Sequence, residues 1–250
     1  MDCAPLPGPA EAPEGPGGAG DRAAGTARGA DGAGSAGAAV PLLVACALGI
    51  ERFALRAAPG HRGRGGPDTP RATVLRTGMG PESAARAVLA ACSTPQLREA
   101  AVIASGFCAG LVPGMHPGDV VVADETLAHG TAVPCANAGL LRAAVAAALP
   151  GRTVHGGVLL GADHVVRGPE RARLEATGAI AVDMESASTL ATALSAGPRA
   201  VAAVRVVVDA PEHELVRIST LRGGISAFRV LRALMPAFYE WHRSLLLPRR

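Results

Sequence analysis

From Val40 onward the chain runs as short apolar stretches broken by Gly and Pro: PLLVACAL, ATVLRTG, AAVIASG, DVVVAD, TVHGGVLLG, AIAVD and AVAAVRVVVD. Each is apolar on both parities, the pattern of a strand covered on both faces. Between them PESAARAVLAACS, NAGLLRAAVAAAL, PERARLEATG and MESASTLATALSAG read as helices, with Pro81 and Pro169 in first turns that tolerate proline. The closing STLRGGISAFRVLRALMPAFYEWHRSLLL reads as a long helix interrupted near Gly223 and kinked near Pro236. Strands alternating with helices predict an α/β fold, a three-layer sandwich with a central β-sheet flanked by helices.

Residues 1–39 break this pattern. They are nearly all Gly, Ala and Pro, and such a segment cannot bury enough side chain to offset its ordering entropy. A disordered tail is expected there, and residues 40–250 form the expected domain. The first residues carry neither a basic nor an apolar segment of the secretory kind. No apolar run reaches the roughly 18 to 20 residues of a membrane span. The five cysteines are scattered and form no C-x-x-C pair, so neither a disulfide framework nor a zinc ribbon is expected. A soluble protein of a reducing cytoplasm fits these features.

Composition narrows the chemistry. Across 250 residues, 49% are hydrophobic and 18% charged, which excludes a disordered polyelectrolyte for most of the chain. Every cationic side chain is an arginine, since no lysine occurs. Walker-type phosphate loops, Schiff-base nucleophiles and pyridoxal chemistry are thereby ruled out, because each needs an amine. Aromatics at 2% argue against stacking platforms for single-stranded nucleic acid, and a dispersed net charge of +3 implies no nucleic-acid partner. The seven histidines show no helical i, i+4 pairing, so no metal site is expected.

In an α/β sheet, chemistry collects at strand ends. Glu51 follows the first apolar run, Asp209 ends VRVVVD, and Asp183 and Glu185 stand at the junction AVDMES. Each has a plain structural alternative. Glu51 suits a helix N-terminus, Asp209 suits a turn before Pro211, and Asp183 with Glu185 would share a face only in an extended stretch. The glycine turns LRTGMG and ASGFCAGL are either close approaches to a ligand or merely tight turns. Cys108 is formally a candidate nucleophile, though such a cysteine more often packs as a small buried residue.

Taken in order, these pieces resemble the superfamily of purine nucleoside phosphorylases and methylthioadenosine/adenosylhomocysteine nucleosidases, over roughly residues 40–215. AVDMESASTLA is similar to the family's ribose-binding signature, and VIASGFCAGLVPGMHPGDVVVADE to its T-G-x-A-G-G-L turn and following strand. LRTGMGPESAA is similar to its T-G-[IM]-G turn, and GVLLGADHVVRG to the segment lining the purine. The resemblance implies a central twisted mixed β-sheet, and cleavage of an N-glycosidic bond with no metal or organic cofactor. Glu51 would activate the attacking water, and Asp209 would protonate the imidazole ring of the base. Glu185 would bind the ribose hydroxyls, with Met184 packed on the sugar. Val165 and Val166 would sandwich the base, while Ser105 and Gly106 would approach sugar and base.

Three departures qualify that picture. Val208 precedes Asp209 where many members have serine, which removes a hydroxyl near the acid. Val165 replaces an aromatic, a loss of stacking worth about 1 kcal/mol. Hexameric phosphorylases hold phosphate with an arginine just before the small-residue turn, where this chain has Ile103-Ala104-Ser105. Arg56, Arg76 and Arg205 are candidate substitutes, so inorganic phosphate stays open as a co-substrate and the choice between hydrolase and glycosyltransferase chemistry with it. The opening LLVACALGIE and closing FYEWHRSLLLPRR resemble the hopanoid-associated phosphorylase-like branch, which implies removal of adenine from adenosylhopane. The alternatives are salvage of methylthioadenosine or adenosylhomocysteine, a futalosine-type nucleosidase, or a non-catalytic nucleoside-binding protein. The family forms dimers or hexamers, so a homo-oligomer is expected. The C-terminal stretch is expected either to pack on the sheet or to offer Tyr239 and Trp241 to a membrane surface as a weak peripheral contact.

Overall fold

The computed structural model describes residues 40–58, 72–210 and 220–246. The expected tail over residues 1–39 lies outside them.

Strand β1 (Leu42–Cys46) is buried throughout: Leu42, Val44 and Cys46 enter one core layer, Leu43 and Ala45 the other. Only a run apolar on both parities can be covered this way. Strands β2 (Thr73–Arg76) and β3 (Ala101–Gly110) flank β1 in parallel, and β8 (Val201–Asp209) continues beyond β3, also parallel. Strand β4 (Val120–Ala128) runs antiparallel to β8 and parallel to β6 (Val154–Gly161). β6 is parallel to β7 (Ala179–Asp183), which returns to pair antiparallel with the far end of β3. The mixed sheet is the expected one, but five of its strands close into a ring. The short β5 (Thr131–Pro134), absent from the sequence-based expectation, pairs with β4 through His129–Gly130, both at positive φ (48° and 75°). That is the geometry of a mirror-image hairpin turn, without the usual Asn-Gly sequence.

Helices α1 (Gly49–Arg56), α3 (Ala138–Ala148), α6 (Thr220–Ala233) and α7 (Met235–Leu245) contribute to one core layer, and α2 (Pro81–Cys92) with α5 (Ser186–Ser195) to the other. The three layers follow. A seventh helix, α4 (Pro169–Glu175), leans on β7. Pro81 and Pro169 occupy first turns as expected, behind Gly80 and Gly168.

The C-terminal stretch differs from expectation at Gly223. α6 runs unbroken through Gly223, since a helical glycine costs only about 1 kcal/mol. The break falls at Leu234, where a kink near Pro236 was expected, and Pro236 sits in the first turn of α7, where its missing N–H is harmless. Leu231, Leu234, Met235, Phe238 and Trp241 are fully buried, and the Trp241 indole N–H donates to the Ala136 carbonyl at 2.7 Å. For Trp241 the structure takes the first of the two alternatives, packing in the core, which leaves this ring nothing to offer a lipid surface. Arg249 and Arg250 lie outside the described residues. Among those described, no helix is long and apolar enough to cross a membrane.

Candidate active site

The ring of strands decides where the polar residues meet. At its antiparallel seam Ala109 pairs with Val182, and on the other side of β3 the same Ala109 pairs with Asp209. The ends of β7 and β8 therefore flank the end of β3, although they lie far apart in sequence. A cleft of about 240 Å³ opens there. Its walls are Leu48 behind β1, Phe107–Ala109 of β3, Val182–Glu185, Val208 and Asp209, and the His164–Val166 loop, with Met79 at the mouth.

Glu51 does not end a strand. β1 stops at Cys46, and Glu51 lies in the first turn of α1, buried, with its carboxylate turned back on the helix start. One oxygen accepts from the Leu48 N–H and the other from the Phe107 N–H, both at 2.8 Å. The structural and chemical alternatives for this residue thus hold together: it caps its helix and faces the cleft. Burial pushes its carboxyl above the usual range, against the pull of Arg205 and the backbone donors.

Glu185 is the N-cap residue of α5. Its carboxylate accepts from the Gly80 N–H at 2.9 Å, so the LRTGMG turn serves to hold a carboxylate. Burial raises this carboxyl as well. Asp183 points the same way. Its carboxylate takes the Arg205 Nε at 2.6 Å and the Ser186 hydroxyl at 2.6 Å.

Arg205 stands under the cleft, fully buried, and acts as a hub. Besides Asp183 it donates to the Ser186 hydroxyl at 2.8 Å and the Ser105 carbonyl at 3.3 Å, and it lies 4.0 Å from Glu185. Burial alone would lower its affinity for the proton, but Asp183, Glu185 and Glu51 reverse this and raise it. Gly106 is the close approach in this arrangement. At φ +146°, an added Cβ would stand 2.5 Å from a Glu51 carboxylate oxygen and 2.6 Å from Arg205 Nη1.

Asp209, at the end of β8, is paired through Oδ2 with Nη2 of Arg171 on α4, and both residues are buried. Its Oδ1 has no hydrogen-bond partner. His164 hydrogen-bonds to Asp163 at 2.6 Å and to Glu170 at 2.9 Å, and these bonds raise its imidazole above the usual range.

Of the residues singled out from sequence, Glu51, Asp209, Glu185, Met184, Val165 and Val166 all line this one cleft. Val166 is buried, and Val165 is 54% exposed at the mouth. Ser105 and Gly106 are a correction. They lie behind the wall, and Phe107, Cys108 and Ala109 line it instead. The reason is length: β3 runs on to Gly110, beyond the apolar run that suggested its end. Arg56 and Arg76 are exposed and stand outside the cleft lining. Cys108 is buried and its thiol pushed up by burial, so it does not present the thiolate a nucleophile needs. Arg171 and His164 were passed over. A signal existed for Arg171, which shares a helix face with Leu174 and so points inward with it.

A sequence profile described as the phosphorylase superfamily matches residues 34–235. The chain belongs to the phosphorylase superfamily. No protein with a curated description matches it. Solved structures of similar fold include the 5′-methylthioadenosine/S-adenosylhomocysteine nucleosidase of Neisseria meningitidis in complex with methylthio-immucillin-A (21% identity, 80% of this chain and 98% of that one, TM-score 0.66). The S-adenosylhomocysteine nucleosidase of Streptococcus pyogenes with 5-methylthiotubericidin is similar at 20% identity, 82% and 98% coverage and a TM-score of 0.66. So is the futalosine hydrolase of Helicobacter pylori, at 15% identity, 83% and 98% coverage and a TM-score of 0.62. At these identities the likeness speaks to the fold. As a member of the phosphorylase superfamily, the protein is a glycosidic-bond-cleaving enzyme.

Proposed function

We propose that the protein hydrolyses the N-glycosidic bond of a 5′-substituted adenosine, releasing adenine, with Asp209, Glu185 and Glu51 carrying the reaction. The supporting observation is that these three buried carboxylates, from β8, the start of α5 and α1, line one cleft. Breaking the bond builds positive charge on the ribose and negative charge on the departing base. Asp209 gives a proton to the imidazole ring of the base, which lowers the barrier by about 3 to 5 kcal/mol for a typical general acid. Glu185, held by the Gly80 N–H, accepts from the ribose hydroxyls and favours the cationic sugar. Glu51, its carboxyl raised by burial, takes a proton from the water that attacks the anomeric carbon. Met184 packs on the sugar, and Val165 and Val166 on the base. Side chains supply every step, and no cofactor enters.

Electrostatics favours water over phosphate as the acceptor. Among the described residues lining the cleft, Glu51, Asp183, Glu185 and Asp209 face a single imidazole, that of His164. Arg205 below is engaged by Asp183. A phosphate dianion would meet like charge there, and no guanidinium is among the described residues lining the cleft. Met79, more than half exposed at the mouth, offers an apolar surface to the 5′ substituent. That supports a hydrophobic substituent of the adenosylhopane kind over the polar chain of adenosylhomocysteine.

The test is a panel of 5′-modified adenosines, assayed for free adenine and for the sugar product with and without inorganic phosphate. Free ribose derivatives at a phosphate-independent rate are expected, fastest for apolar substituents. Asp209→Asn, whose amide oxygen still accepts from Arg171, should lower kcat by about 10²- to 10⁴-fold. A rate proportional to phosphate that yields a ribose 1-phosphate, or tight binding without turnover, overturns the reading.

A further inference from the structure

Arg171 has no part in the chemistry described so far, yet it is buried beside the cleft. Nη2 donates to Asp209 Oδ2, while Nε and Nη1 are buried without hydrogen-bond partners. A guanidinium placed only for stability would be expected to satisfy more of its donors, because each buried unpaired group is costly. Its position is also well anchored. The preceding residue, Glu170, accepts from His164 Nε2 at 2.9 Å, and His164 stands in the cleft wall, so α4 is tied at adjacent positions to the mouth loop and to Asp209.

We propose that Arg171 is a positioning residue for the glycosidic cleavage: by holding Oδ2 of Asp209 it keeps the carboxyl in one orientation in the cleft wall, from which the acid gives its proton to the base. The inference rests on the acid role of Asp209. An unanchored carboxyl would rotate; one held through Oδ2 keeps a single orientation. As the glycosidic electron pair moves onto the base, the proton passes from the Asp209 carboxyl to the imidazole nitrogen. Asp209 is left as a carboxylate against the Arg171 guanidinium, which stabilises the charge that has just formed. No further reactant is needed, and the proton is restored from water once the base has left.

The test compares two substrates. One is the purine nucleoside the wild type cleaves best; the other is its N7-methylated counterpart, whose base departs neutral and takes no proton from the protein. Arg171→Met should lower kcat on the first by about 10- to 100-fold, with a smaller change in KM, the scale expected when a reacting group is misplaced by about an ångström. On the methylated substrate it should stay within about threefold of wild type, and Arg171→Lys should recover part of the loss on the first. Equal losses on both substrates, or none on either, overturn the inference while leaving the acid role of Asp209 intact. A second route serves if Arg171→Met does not fold. In an Asp209→Asn background, which leaves no acid to position, Arg171→Met should bring no further loss, and a further drop of about tenfold or more overturns the inference. A wild type that releases no purine from any nucleoside removes the acid role, and this inference with it.

Discussion

Substituting Gly106 by alanine tests the geometry beneath the cleft. The new Cβ would stand 2.5 Å from a Glu51 carboxylate oxygen and 2.6 Å from Arg205 Nη1, on a backbone with φ +146°. Neither neighbour yields easily. Glu51 accepts from the Leu48 and Phe107 N–H groups, and Arg205 is fixed by Asp183, Ser186 and the Ser105 carbonyl. Overpacking costs about 1 to 3 kcal/mol, and weakening one hydrogen bond to a buried charge about 1.5 to 3. A destabilisation of about 2.5 to 6 kcal/mol follows, or a fall in Tm of about 5 to 24 °C at this chain length. A shift of Glu51 by about an ångström should cost about 10²-fold in kcat. Gly130→Ala is the control. It lies in the β4–β5 turn at φ +75°, with nothing within 4 Å of an added Cβ, so strain of about 1 to 2 kcal/mol is its only cost. Thermal melts and initial rates of base release read both variants. A Gly106→Ala protein with wild-type rate, or one no more perturbed than Gly130→Ala, refutes the placement of Glu51 and Arg205 across this glycine.

Glu51 also makes stability depend on pH. Because burial raises its carboxyl in the folded state, the folded protein binds more protons than the unfolded chain between the ordinary glutamate value and the raised one. Stability therefore falls as pH climbs through that window. Denaturant melts of wild type and Glu51→Gln at stepped pH should show wild type losing ground to the variant toward neutral pH; parallel curves would contradict the burial argument. Trp241→Ala should cost about 3 to 5 kcal/mol, because the ring is fully buried and its N–H bonded to Ala136. The emission of this single tryptophan should not move when anionic vesicles are added, and a blue shift would reopen the membrane contact.

Much of the architecture was written in local pattern. Runs apolar on both parities can be satisfied only inside a sheet covered on two sides, and Gly80-Pro81 and Gly168-Pro169 mark helix starts by backbone chemistry alone. The ordered motifs likewise identified Glu51, Met184, Glu185 and Asp209, since each sits next to an element end that sequence can place. Other features depended on contacts between distant segments. Strand direction and ring closure arise from pairing, and it is the antiparallel β3–β7 seam that sets Asp183 level with Cys108 and moves the cleft lining from Ser105–Gly106 to Phe107–Ala109. No local signal reports that Arg205 faces three carboxylates, because they are contributed by α1, β7 and the start of α5. The Arg171–Asp209 pair, 38 residues apart, is of the same kind. Side-chain periodicity says which face a residue takes; only the packed fold says what waits on the other side of that face.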